Sequence, residues 1–181
     1  MKKLKIIEFG NPILRQKAKK VPLAYIGTPK CQALIKNLIY TMREGQGVGI
    51  AAPQVGESIQ LVIAEMRGTP TRPNHKPKGP AVLINPIIKE YSKETFLDYE
   101  GCLSIFGFFA KVPRSKRIVV EYYNENGDKV VEEATGNWAR IYQHEIDHLS
   151  GVSFIDRVKD TKTFVTLEEY KKLMNKKPKT K

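Results

Sequence analysis

The chain has 181 residues, 41% hydrophobic and 28% charged, an ordinary globular composition with enough apolar material for one core. No run approaches the ~20 apolar residues that span a bilayer, and Met1 to Glu8 breaks off before a signal-peptide stretch forms. Membrane and secreted classes are therefore not expected, a cytoplasmic location is, and two cysteines, Cys31 and Cys102, are too few for a disulfide framework.

The net charge of +12 is unevenly placed: residues 1–20 hold seven Lys/Arg and one acid, residues 171–181 hold six Lys and no acid, and the stretch between them is balanced. This predicts one domain over residues 1–170 followed by a basic tail over 171–181. Such ends either solvate the protein or dock on RNA or another polyanion.

Thr28-Pro29 offers an N-cap and a proline at the first helical position. Leu34, Ile35, Leu38, Ile39 and Met42 then recur at helical spacing, so an amphipathic helix is expected to stop near Gly45. From Ser58 to Met66 apolar residues alternate as in a strand, and Arg67 to Pro80, rich in Pro and Gly, reads as an inserted irregular loop. Strand pattern resumes at Ala81-Val82-Leu83-Ile84. Arg117–Tyr123 and Lys129–Ala134 flank Asn124 to Asp128, a hairpin signal. Helices are expected over Asn137–Leu149 and Leu167–Met174. Hairpins with few helices and no strand-helix alternation argue for an α+β fold.

His144-Glu145-Ile146-Asp147-His148 lies inside the helix expected over Asn137–Leu149. Residues four apart share a helix face, so both imidazoles can reach one metal ion while Glu145 sits one step round, near an activated water. A catalytic site of this kind needs a third protein ligand. Glu168 and Glu169 are downstream donors without a matching spacing motif, whereas Cys102, in Glu100-Gly101-Cys102-Leu103-Ser104, offers a thiolate on glycine-flanked backbone. A third segment, Gly45-Gln46-Gly47-Val48-Gly49-Ile50-Ala51-Ala52-Pro53-Gln54, has three alternate glycines that would let backbone approach a ligand. Gln54 adds a neutral donor for an oxyanion. The lysine of a phosphate loop is missing there.

In order, Gly47 to Gln54, Glu100 to Ser104 and Gln143 to His148 resemble the three signature motifs of peptide deformylases. The resemblance extends to Gly10-Asn11-Pro12-Ile13-Leu14-Arg15, Ile84-Asn85-Pro86, His148-Leu149-Ser150-Gly151 and Asp156-Arg157, and so covers about residues 8 to 158. It implies antiparallel β-sheets packed around a central helix that carries the metal motif, within one catalytic domain acting as a monomer. The activity implied is removal of the formyl group from the N-terminal formylmethionine of new polypeptides, with release of formate.

By the same resemblance, Cys102, His144 and His148 hold one divalent metal ion, ferrous iron by preference, with zinc, nickel or cobalt as alternatives. Glu145 is the general base, Gln54 and the N–H of Leu103 stabilise the oxyanion, and Gly49 positions the formyl peptide. Val48, Ile141, Trp138 and Tyr142 are expected to line the methionine pocket, and the basic tail is placed to contact the ribosome. The chain departs from most bacterial members in Phe106 and Phe109, which stand where proline and arginine are usual. These rings either reshape the peptide-binding wall or fill core. The rivals are another hydrolase on an H-E-x-x-H helix and an RNA-binding protein whose site has lost activity. The intact set Gln54, Cys102, His144, Glu145 and His148 tells against the second.

Overall fold

A computed structural model describes residues 1–69 and 76–176. The elements in chain order are α1 (Leu23–Ile26), α2 (Pro29–Glu44), β1 (Gly49–Ala51), β2 (Leu61–Met66), β3 (Lys78–Tyr91), β4 (Thr95–Cys102), β5 (Ile105–Ser115), β6 (Arg117–Tyr123), β7 (Lys129–Thr135), α3 (Gly136–His148), α4 (Phe154–Arg157), β8 (Val165–Thr166) and α5 (Leu167–Lys176). All named strand pairs are antiparallel, in a five-stranded sheet of order β1-β2-β3-β6-β7 and a three-stranded sheet of order β4-β5-β8. The fold is α+β, as the pattern predicted.

Strand alternation decides what each face of the large sheet covers. On β2, Leu61 and Ile63 pack with Ile35, Leu38 and Met42 of α2, while Val62 and Ala64 point the other way, toward Trp138, Ala139 and Tyr142 of α3. Burial on both faces explains why Leu61 to Glu65 is buried without a break. Helix α3 also contacts β5 of the small sheet, which places it between the two sheets. It is consequently buried on most of its surface, Arg140, Gln143, His144, Glu145 and His148 included. Charged residues are almost never fully buried unless paired, so this helix marks the functional centre.

Local signals explain several boundaries. The Thr28 hydroxyl accepts from the Cys31 N–H at 3.2 Å and caps α2, and Gly45 ends it. The β6–β7 hairpin turns where the Asn124 side chain accepts from the backbone N–H groups of Asn126 and Asp128, both at 2.9 Å. Two expectations shift. The strand expected from Ser58 begins at Leu61, because Ile59 instead bridges to Lys19. The irregular stretch expected to run to Pro80 ends earlier, as β3 starts at Lys78; residues 70–75 of that stretch lie outside the described residues, as does the end of the tail, 177–181. The β4–β5 hairpin had no recognised signal, because its turn is only Leu103-Ser104 and its strands carry Glu100, Lys111 and Arg114. No helix among the described residues is long and apolar enough to cross a membrane.

Candidate metal centre and cleft

The two imidazoles come from adjacent turns of one face of α3, and Cys102 closes the group from the end of β4. The three ligand atoms of Cys102, His144 and His148 lie within 4.8 Å of one another. Cys102 Sγ is 3.4 Å from His148 Nε2. This arrangement resolves the sequence alternatives for a third donor: neither Glu168 nor Glu169 is in the group, and each pairs instead with a lysine of α5.

The group fits a divalent transition metal on grounds of chemistry and of the surrounding bonds. One thiol and two imidazoles form a donor set suited to iron, zinc, nickel or cobalt. His144 Nδ1 lies 2.9 Å from Glu100 Oε2, so the carboxylate fixes the ring and leaves the other ring nitrogen, Nε2, for the Cys102 side of the site. Burial, with the charges of His144 and Arg114 adding to it, pushes His148 down to about 3 and so keeps that imidazole neutral, the form a metal needs. Burial works to lower His144 too, but hydrogen bonding with Cys102 and Glu100 outweighs it and raises this ring well above its ordinary value.

Glu100 is the hub behind the ligands. It accepts from Arg114 at 2.9 and 3.0 Å and from Arg140 at 2.6 Å, with all three side chains about 5% exposed or less. Burial works to raise the Glu100 carboxyl, but the hydrogen bonds of His144 and Arg114 and their charges hold it well below the carboxylate range. Arg114 continues to Asp147, which Arg157 binds from the far side at 2.7 Å. Sequence reading quoted Glu100 only as part of a motif. The signal that could have found its role is the pair Arg114 and Arg140, two cations in segments that fold as core.

Glu145 sits beside this group, buried, and its Oε2 has no hydrogen-bond partner among the described residues. Burial pushes its carboxyl up to about 7. The three alternate glycines line the cleft and also make room for neighbouring side chains: a Cβ on Gly45 or Gly47 would fall 2.9 Å from the Leu103 side chain, and one on Gly49 would fall 2.6 Å from Glu145 Cδ. Gln54 accepts from Ala51 N–H at 2.8 Å. Its Nε2 donates to Cys102 Sγ and to Ser104 Oγ, each at 3.2 Å, and so points at the same centre.

Gln54, Glu100, Cys102, His144 and Glu145 line one cleft together with Val48, Ile141, Leu103 and Gly49, with His148 behind it. Trp138 and Tyr142 do not reach it, contrary to expectation: four residues apart on α3, they pack into the large-sheet core and bind Glu132. The aromatic segment divides as the pleat requires. Phe106, 84% exposed, and Phe108, half exposed, stand at the cleft with their rings toward solvent, whereas Phe109, also lining the cleft, stacks on Tyr170 of α5. A residue the sequence did not single out is Arg67, whose Nη2 donates to Gly47 O at 3.0 Å and to Arg43 O at 3.3 Å and so braces the glycine segment.

The chain matches a model of the family described as polypeptide deformylase over residues 3–164. It is 44% identical over 173 residues to peptide deformylase 2 of Nostoc sp. (strain PCC 7120 / SAG 25.82 / UTEX 2576), with 96% of each chain covered. Among solved structures, a Met-Ala-Ser-bound class I type b peptide deformylase from Acinetobacter baumannii superposes with a TM-score of 0.85 at 36% identity, covering 87% of this chain and 99% of that one. A peptide deformylase from Synechococcus elongatus in complex with actinonin gives 0.78 at 35% identity, covering 95% and 86%. A family match over residues 3–164 and relatives of this identity and coverage mean that the chain belongs to the peptide deformylase family, hydrolases that remove the formyl group from the N-terminus of polypeptides.

Proposed function

We propose a division of labour among the residues of this chain in deformylating N-formylmethionyl polypeptides. The observation that carries it is the buried Glu145 carboxylate, with one oxygen unpartnered, beside the Cys102, His144 and His148 group. Cys102 Sγ and the two imidazoles would hold a divalent cation, which would supply Lewis acidity toward the formyl carbonyl and lower the pKa of the attacking water. Glu145 takes the proton from that water and returns it to the departing amine, a task suited to a carboxyl raised to about 7. Gln54 Nε2 and the Leu103 N–H donate to the tetrahedral oxyanion. Gly49 keeps β1 close enough for Glu145 and the formyl peptide to share the cleft. Val48 and Ile141 form its apolar side, and a Met-Ala-Ser peptide is bound by the related Acinetobacter baumannii enzyme.

Ferrous iron is the native metal in this reading, with zinc, nickel or cobalt as substitutes. Because ferrous iron beside a thiolate is oxygen-sensitive, activity decays in air and is prolonged by reductant or by metal exchange. Residues 1–170 form the catalytic domain, which acts as a cytoplasmic monomer. Residues 171–181 form a basic extension that contacts the ribosome; the boundary falls inside α5. Phe106, standing exposed at the cleft, contacts the peptide beyond its formylmethionine.

The test is hydrolysis of a short formyl-Met peptide by anaerobically purified protein, beside Glu145→Ala with bound metal quantified. Formate release by the parent and a loss of about 100-fold or more in the variant, at equal metal content, is expected. Turnover by Glu145→Ala close to that of the parent overturns the assignment of the base.

A further inference from the structure

Cys102 follows a glycine, and Gly101 has no side chain with which to fix its own backbone. A metal ligand held on such a residue needs restraint from its surroundings. The structure supplies it from β5 and the end of the chain. The Phe109 ring lies across Gly101, where a Cβ would fall 2.6 Å from ring atom Cε1. Tyr170 of α5, fully buried, stacks on Phe109 with centroids 4.2 Å apart and planes 5° from parallel. Tyr99, two residues before Gly101, meets Tyr170 edge-on at 5.3 Å. Strand β8, immediately before α5, pairs with Phe108 and Phe109 and holds the helix to the same strand.

We propose that Tyr170 is a positioning residue for Cys102, acting through the Phe109 ring and the Gly101 backbone to hold the thiolate toward His144 and His148. The inference rests on Cys102 being a metal ligand. Glu100 is already fixed on one side of Gly101 by two arginines. The stack supplies the second restraint, so the hairpin end is held at both residues before the sulfur. The C-terminal helix, far from the reacting atoms in sequence, thereby belongs to the support of the metal centre.

The test uses the full chain loaded with cobalt(II), whose thiolate-to-metal charge-transfer band reports on Cys102 and whose release to a chelator reports affinity. Tyr170→Leu keeps apolar bulk but removes the flat face, and Tyr170→Phe keeps the face. Tyr170→Leu is expected to shift the band, to release metal about 10-fold more readily and to lower kcat with little change in KM, while Tyr170→Phe matches the parent. Phe109→Leu, with Tyr170 intact, is expected to repeat the Tyr170→Leu result and replaces it should that variant not fold. A lower melting temperature with parental band and affinity in the folded leucine variant overturns the proposal. So does a phenylalanine variant as impaired as the leucine one. A parent without any thiolate band overturns the ligand reading itself, and this inference with it.

Discussion

Gly49 shows how a single atom decides the site. Its backbone is ordinary strand, so its value lies in the missing Cβ, which would occupy the place of the Glu145 carboxylate. Gly49→Ala is therefore expected to fold and bind metal normally while turnover of a formyl-Met peptide falls by about 100-fold, because a base displaced by an ångström is out of reach of its proton. Parental turnover in that variant refutes the argument. Glu100 is the converse case, a residue that touches no substrate but compensates two buried guanidinium groups and orients His144. Glu100→Gln is expected to lower unfolding stability by about 3–5 kcal/mol. Metal affinity should fall by about 10- to 100-fold, read by denaturant titration and chelator competition.

At the scale of elements, α3 was legible and the hairpin that completes the site was not. Helix α3 carries a period, a motif and a predictable start. The β4–β5 pair carries charged residues at positions that become core only because Glu100, Arg114 and Arg140 neutralise one another there. Outside the cleft, α3 is bound to the large sheet by Glu132 of β7, which accepts from Trp138 Nε1 at 2.9 Å, Tyr142 Oη at 2.8 Å and Lys78 Nζ at 3.0 Å. Burial works to raise the Glu132 carboxyl, but the hydrogen bonds from Lys78, Trp138 and Tyr142 hold it below its ordinary 4.5. A carboxyl depressed on folding stabilises the protein at pH above its unfolded value, and that stabilisation is lost as pH falls through the folded one. The melting temperatures of the parent and Glu132→Gln should thus differ most at neutral pH and converge as the pH falls below the ordinary 4.5 of a glutamate and through the lowered folded value. An equal gap at both ends excludes this account.

For the whole molecule, motifs far apart in sequence meet as the resemblance required. Arg15 donates to Gly151 O at 3.3 Å and pairs with Asp156, while a Cβ on Gly151 would collide with the Arg15 backbone. Asn85 likewise accepts from Val21 N–H and donates to Val21 O, both at 2.8 Å. The basic end follows α5, where Lys171 and Lys172 already pair with Glu168 and Glu169. Deleting residues 175–181 is expected to leave hydrolysis of a short formyl-Met peptide unaltered and to reduce ribosome association. The parent's association should weaken steeply with salt, since phosphate contacts release counterions. Equal binding by both forms removes the proposed contact.

Sequence by itself determined the fold class, the metal helix, the three motifs and the residues offered as ligands, because local periodicity and residue chemistry are properties of short segments. Only the tertiary structure decided how Cys102 is brought up to the histidines and which way each α3 residue faces. Trp138, Ile141 and Tyr142 all joined the core, and of the three only Ile141 also reached the cleft. It also decided that the alternate glycines make room for Leu103 and Glu145. Those outcomes depend on contacts between segments up to 100 residues apart, such as Gly49 with Glu145, which no local pattern encodes.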